Sequence, residues 1–206
     1  MRIGVLGTGM VGSAIASKLI TLGHDVMMGS RTANNPKAAG WASQMGPRGR
    51  AGTFADTATF AEMVFNCTRG ETSIAALQAA GLEGLEDRII VDVANVLPPD
   101  ERMRESLGER IQKAFPLSKV VKTLNTINAE LMVHPEALSA PHTLFLSGND
   151  DGAKKAVRGL LESFGWSDIL DLGDISTARA TESYLPLWLA TWKALGTAAF
   201  NVRVVR

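Results

Sequence analysis

The chain has 206 residues, enough to bury a sizeable core as one domain or as one domain with a small appendage. Lys plus Arg equals Asp plus Glu at 21 each, so no global basic field exists to attract nucleic acid or an acidic membrane surface. A single Cys67 excludes an intramolecular disulfide framework, and three scattered histidines, His24, His134 and His142, give no zinc spacing. With no signal segment and no uncharged apolar run of about eighteen residues, the expectation is a cytoplasmic protein without membrane or nucleic-acid partners and without a metal.

The first twelve residues form a short apolar strand, Arg2 to Leu6, running into a Gly-x-Gly-x-x-Gly loop and a helix from Met10 to Leu22. Gly7 permits the sharp turn out of the strand, Gly9 lets backbone approach a pyrophosphate, and Gly12 lets the helix pack close to the sheet. Thr8, Met10 and Val11 complete this loop, and the helix N-terminus offers unpaired N–H groups to phosphate. A strand follows at Asp25 to Gly29, where an acidic residue would select NAD by bonding the adenosine ribose. The chain instead carries Ser30, Arg31 and Thr32, then Asn34, Asn35 and Lys37, with no carboxylate between Gly29 and Lys37. Arg31 presents a planar fork and the two hydroxyls further donors to a 2′-phosphate, which predicts NADP rather than NAD.

Strands then alternate with helices, the pattern of a doubly wound parallel α/β sheet of Rossmann type. Helices are expected at Lys37–Met45 and Thr57–Ala61, with a weak strand at Arg50–Thr53 between them and a stronger one at Glu62–Asn66. Cys67, Thr68 and Arg69 follow at the carboxyl end of that strand, where such sheets hold their ligands. Cys67 reads as a small apolar wall, and Arg69 as either a cofactor contact or a solvated loop residue. After a helix at Ser73–Ala80, the strand Arg88–Val93 ends in Ala94 and Asn95, a second cofactor-lining loop. Its Asp92 invites a catalytic reading or one in which backbone amides satisfy it. Pro98-Pro99 precedes a charged helix near Asp100–Lys113, and the strand Lys119–Leu124 places Asn125 at the nicotinamide end of the cleft. Beyond it, His134-Pro135 and His142 fall in an irregular segment as surface or capping residues.

From His142 the pattern restarts with strands at Thr143–Ser147 and Asp168–Leu172 around a helix at Ala153–Phe164. This predicts a small C-terminal α/β appendage, with a division into residues 1–140 and 141–206. The last segment carries Leu185, Trp188, Leu189, Trp192 and Leu195 at helical spacing, interrupted near Pro186. That broad apolar face reads as core or homodimer interface, or secondarily as a platform for a flat second substrate.

Five stretches carry a family resemblance: the opening glycine loop, Gly29-Ser-Arg-Thr32, Val121–Asn128, Ser147–Asp151 and Asp171–Glu182. They resemble the NADPH-dependent coenzyme F420 reductases, in the bacterial branch, along nearly the whole chain, and the nucleotide module is similar to that of the Steap metalloreductases. The resemblance implies an NADP(H)-binding domain, a small second domain, and a deazaflavin or similar flavin-like acceptor in the cleft between them. Thr8, Ser30 and Arg31 match the family's NADP-contacting positions, and Arg179 and Ser183 match the polar start of the helix that closes the acceptor side. Arg179 then holds an anionic part of the acceptor, or forms an ion pair with Glu182 or another carboxylate. Asn125 stands where the archaeal enzymes have a histidine, and Leu185 replaces a hydroxyl residue, so the acceptor pocket departs from theirs. A hydroxyacid dehydrogenase would need a longer helical domain with a catalytic lysine; a flavin or ferric reductase and a non-catalytic NADP(H) sensor stand as the alternatives.

Overall fold

The computed structural model describes residues 1–97 and 104–206. Strand β1 (Arg2–Leu6) leads through the glycine loop into α1 (Met10–Thr21), followed by β2 (Asp25–Ser30), α2 (Pro36–Met45), β3 (Gly49–Thr53), α3 (Phe54–Phe60) and β4 (Met63–Asn66). Next come α4 (Gly70–Ala80), α5 (Leu82–Leu85), β5 (Ile89–Asp92), α6 (Leu107–Ala114), β6 (Lys119–Thr123) and α7 (Ala129–Val133). The elements end with β7 (Leu144–Gly148), α8 (Asp151–Phe164), β8 (Ile169–Asp171), α9 (Ala178–Ser183) and α10 (Leu185–Leu195). Among the described residues the eight strands form one sheet in the order β3-β2-β1-β4-β5-β6-β7-β8. Every pairing is parallel except β6 with β7.

Local chemistry sets the element boundaries. Asn35 Oδ1 accepts from the amides of Lys37 and Ala38, so α2 starts at Pro36. Thr53 and Asp56 form a capping box that starts α3 at Phe54, ahead of the expected Thr57. A second box, Ser106 with Glu109, starts α6 at Leu107. The charged helix expected from Asp100 therefore begins later, and residues 98–103, including Pro98-Pro99, lie outside the described residues. The segment after Asn125, expected to be irregular, contains α7, whose N-cap Asn128 accepts from Leu131. His142 is buried rather than at the surface: its Nε2 lies 2.9 Å from the Pro135 carbonyl oxygen and its ring edge meets Trp166.

Alternation along the strands sends side chains to two cores. On one face Ile3, Val5, Phe65, Val91 and Val121 pack against α1, α2, α7 and α8; on the other Leu6, Val64, Ile90 and Val120 pack against α3, α4, α5 and α6. The strands expected in the C-terminal appendage join this sheet, β7 on β6 and β8 on β7, so the sheet runs without a break across residue 140.

The apolar C-terminal segment is two helices rather than one, because Pro186 lacks the N–H that would continue α9 into α10. On α10 Leu185 is buried, while Leu187, Trp192 and Leu195 are 60%, 46% and 57% exposed. Trp188 stacks on Phe200 with ring centroids 5.5 Å apart. Beyond Gly196 the chain returns to the sheet: Thr143 N donates to the Val202 carbonyl, Val204 N to Thr143 Oγ1, and Asn128 Nδ2 to the Ala198 carbonyl. Among the described residues no helix is long and apolar enough to cross a membrane.

Candidate functional site

Strand order reverses between β1 and β4, and a ligand crevice opens outside the carboxyl ends of strands at such a point. Gly7 has φ +115°, and a Cβ there would lie 2.6 Å from the Cys67 carbonyl oxygen. A Cβ on Gly12 would overlap the Gly7 carbonyl oxygen, so close packing of α1 requires glycine. At Gly9 a Cβ would meet nothing within 4 Å, which leaves an open approach to the backbone. Gly9 is also the N-cap of α1 and supplies no capping side chain, so the first amides of the helix, on Met10, Val11 and Gly12, keep their donors for a ligand.

A cavity of about 670 Å³ lies over this loop. It brings Gly7, Thr8 and Gly9 together with Ser30, Arg31 and Lys37 from the β2–α2 turn, and with Cys67, Thr68 and Arg69 after β4. The Ser30 hydroxyl, expected as a phosphate donor, gives its proton to the Thr32 carbonyl at 2.6 Å, so Ser30 and Thr32 shape the turn. Arg31 and Lys37 are exposed, and they supply the cationic charge. Burial and the charge of Asp92 push the Cys67 thiol pKa up, which fits a wall and not a nucleophile. Sequence reasoning did not place Phe54, Asn35, or the face of α4 made by Thr72, Ala75, Ala76 and Ala79 in the site. The i, i+3, i+4, i+7 spacing of small residues leaves a smooth wall suited to a flat base, and that periodicity was the available signal. Open amides, a bare glycine and a cationic rim without carboxylates are the donor set that a pyrophosphate and a 2′-phosphate require.

Next to this cavity a polar ladder crosses three strands. Asn66, Asp92 and Lys122 are neighbours in register on β4, β5 and β6, and all three are fully or almost fully buried. Asn66 Nδ2 donates to Asp92 Oδ1 at 2.8 Å, and Lys122 Nζ donates to Asp92 Oδ2 at 2.8 Å and to the Ala94 carbonyl at 2.5 Å. Lys122 also pairs with Glu182 of α9 at 3.0 Å, and Glu182 accepts the Leu107 and Gly108 amides at the N-terminus of α6. Burial alone would lower the Lys122 pKa, but the charges of Asp92 and Glu182 outweigh it and hold that pKa above the ordinary lysine value. Asp92 is thus satisfied by side chains, with the Ala94 amide as a weaker partner at 3.3 Å, rather than mainly by backbone. Above the ladder Asn95 Nδ2 donates to the Asn125 carbonyl at 2.7 Å, and Asn125 Nδ2 returns a bond to Asn95 Oδ1 at 3.1 Å. Leu124 sits at φ +63°, a strained conformation for a branched side chain that turns the chain into Asn125.

Residues 2–96 match the family model described as NADP oxidoreductase, coenzyme F420-dependent. A solved structure from Arthrobacter sp. FB24, provisionally described as an F420-dependent NADP-reductase, is 47% identical, covers both chains completely and superimposes with a TM-score of 0.93. The chain belongs to the F420-dependent NADP oxidoreductase family. It is also 28% identical to Metalloreductase STEAP3 of Rattus norvegicus, over 93% of this chain and 38% of that protein. With Metalloreductase STEAP2 of Homo sapiens it shares 30% identity over 98% of this chain and 39% of that protein. The chain therefore spans less than two fifths of these metalloreductases. The family is one of NADP(H)-dependent oxidoreductases, and the glycine loop and basic turn lie within the matched residues.

Arg179 and Ser183, expected from the sequence on an acceptor side, are not among the residues lining the cavity. Ser183 is exposed at the end of α9. Arg179 forms a two-pronged ion pair with Glu109, its Nε donating to Oε2 at 2.6 Å and its Nη2 to Oε1. The expected partner Glu182 is engaged by Lys122 instead. Bonds from Arg179 and from the Ser106 capping box bring the Glu109 pKa down to about 2. A carboxylate depressed from 4.5 stabilises the fold fully above that pH, and the contribution is lost as pH falls toward 2. Because Arg179 is half exposed, Arg179→Ala is expected to cost only about 0.2–1 kcal/mol. The Glu109 titration should rise toward 4.5, as NMR titration of the variant would show, while NADPH affinity stays unchanged.

Proposed function

We propose that this protein transfers a hydride between NADPH and a planar redox ring, coenzyme F420 or a flavin-like acceptor. The observation that carries the reading is the continuity of one cavity from the cationic turn at Arg31 and Lys37 to the bare backbone at Gly9 and on to Thr68. Bound NADPH would supply the hydride from its nicotinamide, and with one proton from solvent the oxidised acceptor becomes its reduced form. The chain's own part is placement and exclusion of water. Arg31 and Lys37 would hold the 2′-phosphate, the amides of the α1 N-terminus the pyrophosphate, and the α4 face the adenine. Thr68 and the Asn95–Asn125 pair would bound the nicotinamide end, where alignment of two rings at near contact is the main catalytic requirement.

A flavin or ferric reductase is the second reading, and the 28–30% identity to part of the metalloreductases supports it. NADPH oxidation followed with coenzyme F420, FMN, FAD and ferric chelates in parallel separates the two. Turnover with F420 alone supports the first reading, and turnover with FMN, FAD or iron alone favours the second. Silence with every acceptor despite tight NADPH binding would overturn both in favour of a sensor.

The homodimer forms part of the same proposal. Trp188, Trp192 and Leu195 share one face of α10, whose single charged residue is Lys193, so two copies can meet there with little charge repulsion. Sedimentation velocity should show a dimer, and Trp192→Glu should shift it toward monomer without loss of NADPH binding; a monomeric wild-type chain would refute this assignment.

A further inference from the structure

The polar ladder has two ends, and they touch different parts of the molecule. At one end Asn66 Oδ1 accepts the Thr68 hydroxyl at 2.6 Å and the Thr68 amide at 3.3 Å, and Thr68 lines the cavity. At the other end Glu182 joins α9 to the first amides of α6. Between them the ladder holds the Ala94 backbone at both of its polar groups, the N–H donating to Asp92 and the carbonyl accepting from Lys122. Asn95 is then fixed from two further directions. Its carbonyl accepts the Gly70 amide at 3.1 Å, and its side chain is clasped by Asn125. The contact with Gly70 is close enough that a Cβ there would lie 2.5 Å from the Asn95 carbonyl oxygen.

A buried ion cluster is weak support for stability, since desolvation of its charges opposes their attraction. Its rigidity is another matter, because low dielectric strengthens each bond and every partner here is held by at least one more. We propose that Asp92, Lys122 and Glu182 are positioning residues that fix Thr68 in the cavity wall and the Ala94–Asn95 backbone beside it, toward the nicotinamide end, and that they tie this region to α9. The inference rests on the NADP reading of the site, and it assigns none of the three a contact with the cofactor.

The test compares two ligands that share the adenosine end. Adenosine 2′,5′-bisphosphate carries the 2′-phosphate and lacks the nicotinamide, whereas NADPH carries both. In Lys122→Met, NADPH affinity by calorimetry is expected to fall about tenfold or more, because a misplaced region loses aligned contacts, while affinity for the bisphosphate holds within about twofold. Glu182→Gln keeps the shape and one acceptor for the α6 amides, and should show the same split to a smaller degree. It carries the comparison if Lys122→Met does not fold. Variants that lose both ligands equally, or neither, would overturn the inference and leave the NADP reading standing. Failure of the wild-type protein to bind the bisphosphate or NADPH would overturn that reading and the inference with it.

Discussion

Replacing Arg31 by alanine is expected to weaken NADPH binding about ten- to a hundredfold, the equivalent of one charge-assisted hydrogen-bonded contact worth about 1.5–3 kcal/mol, and to leave NADH binding nearly unchanged. The two cofactors differ only in the 2′-phosphate, and the β2–α2 turn at the cavity offers Arg31 and Lys37 without a carboxylate between Gly29 and Lys37. The guanidinium fork can engage two phosphate oxygens at once, whereas the Lys37 ammonium acts as a point charge, so Lys37→Ala should cost less. Both side chains are exposed, and added salt should therefore erode NADPH affinity more than NADH affinity. Titration of both cofactors against wild type and variant settles the point: an equal loss for NADPH and NADH would remove Arg31 from the phosphate site.

Alanine at Gly9 and at Gly12 should separate binding from folding. The Gly9 position is open, so Gly9→Ala adds no steric overlap and is expected to cost only about 0.5–1 kcal/mol, because alanine is a poorer N-cap than glycine. Its methyl group would occupy the backbone approach that a pyrophosphate needs, and NADPH affinity should drop at least about tenfold through lost charge-assisted bonds. Gly12→Ala gains helix propensity but drives a methyl into the Gly7 carbonyl, backbone that cannot yield cheaply. Overpacking of that kind costs about 1–3 kcal/mol, and it should lower the melting temperature and displace α1 from the loop as well. A Gly9→Ala protein that melts as early as Gly12→Ala, or a Gly12→Ala protein as stable as wild type, would contradict the packing described for α1.

What could be read from the sequence was what is encoded locally. The glycine loop and the Ser30-Arg31-Thr32 turn lie on contiguous residues whose conformational demands are intrinsic, and the strand-helix alternation follows from short periodic runs. The start of α6 was also locally encoded, in Ser106-x-x-Glu109, yet the charged residues upstream drew the expected helix too far toward its N-terminus. Other features depend on which segments meet. Asp92 and Lys122 are 30 residues apart and Arg179 and Glu109 are 70 apart, so nothing near Arg179 distinguishes Glu109 from Glu182 as its partner. The antiparallel entry of β7 is likewise a matter of topology, because its apolar alternation is the same in either direction. Lys122 was the missed signal, a lysine in an otherwise apolar strand at the position that matches Asp92 in the preceding one.

The return of the chain beyond Gly196 changes the mechanical character of α10. Leu185 seats one end of the helix in the core, and the bonds from Thr143 to Val202 and from Asn128 to Ala198 seat the other. The helix is an arch on two abutments, one beside α9 and one against β7 and α7. A ligand or partner on the exposed tryptophan face would therefore bear on two separate supports, α9 at one end and the start of β7 with α7 at the other.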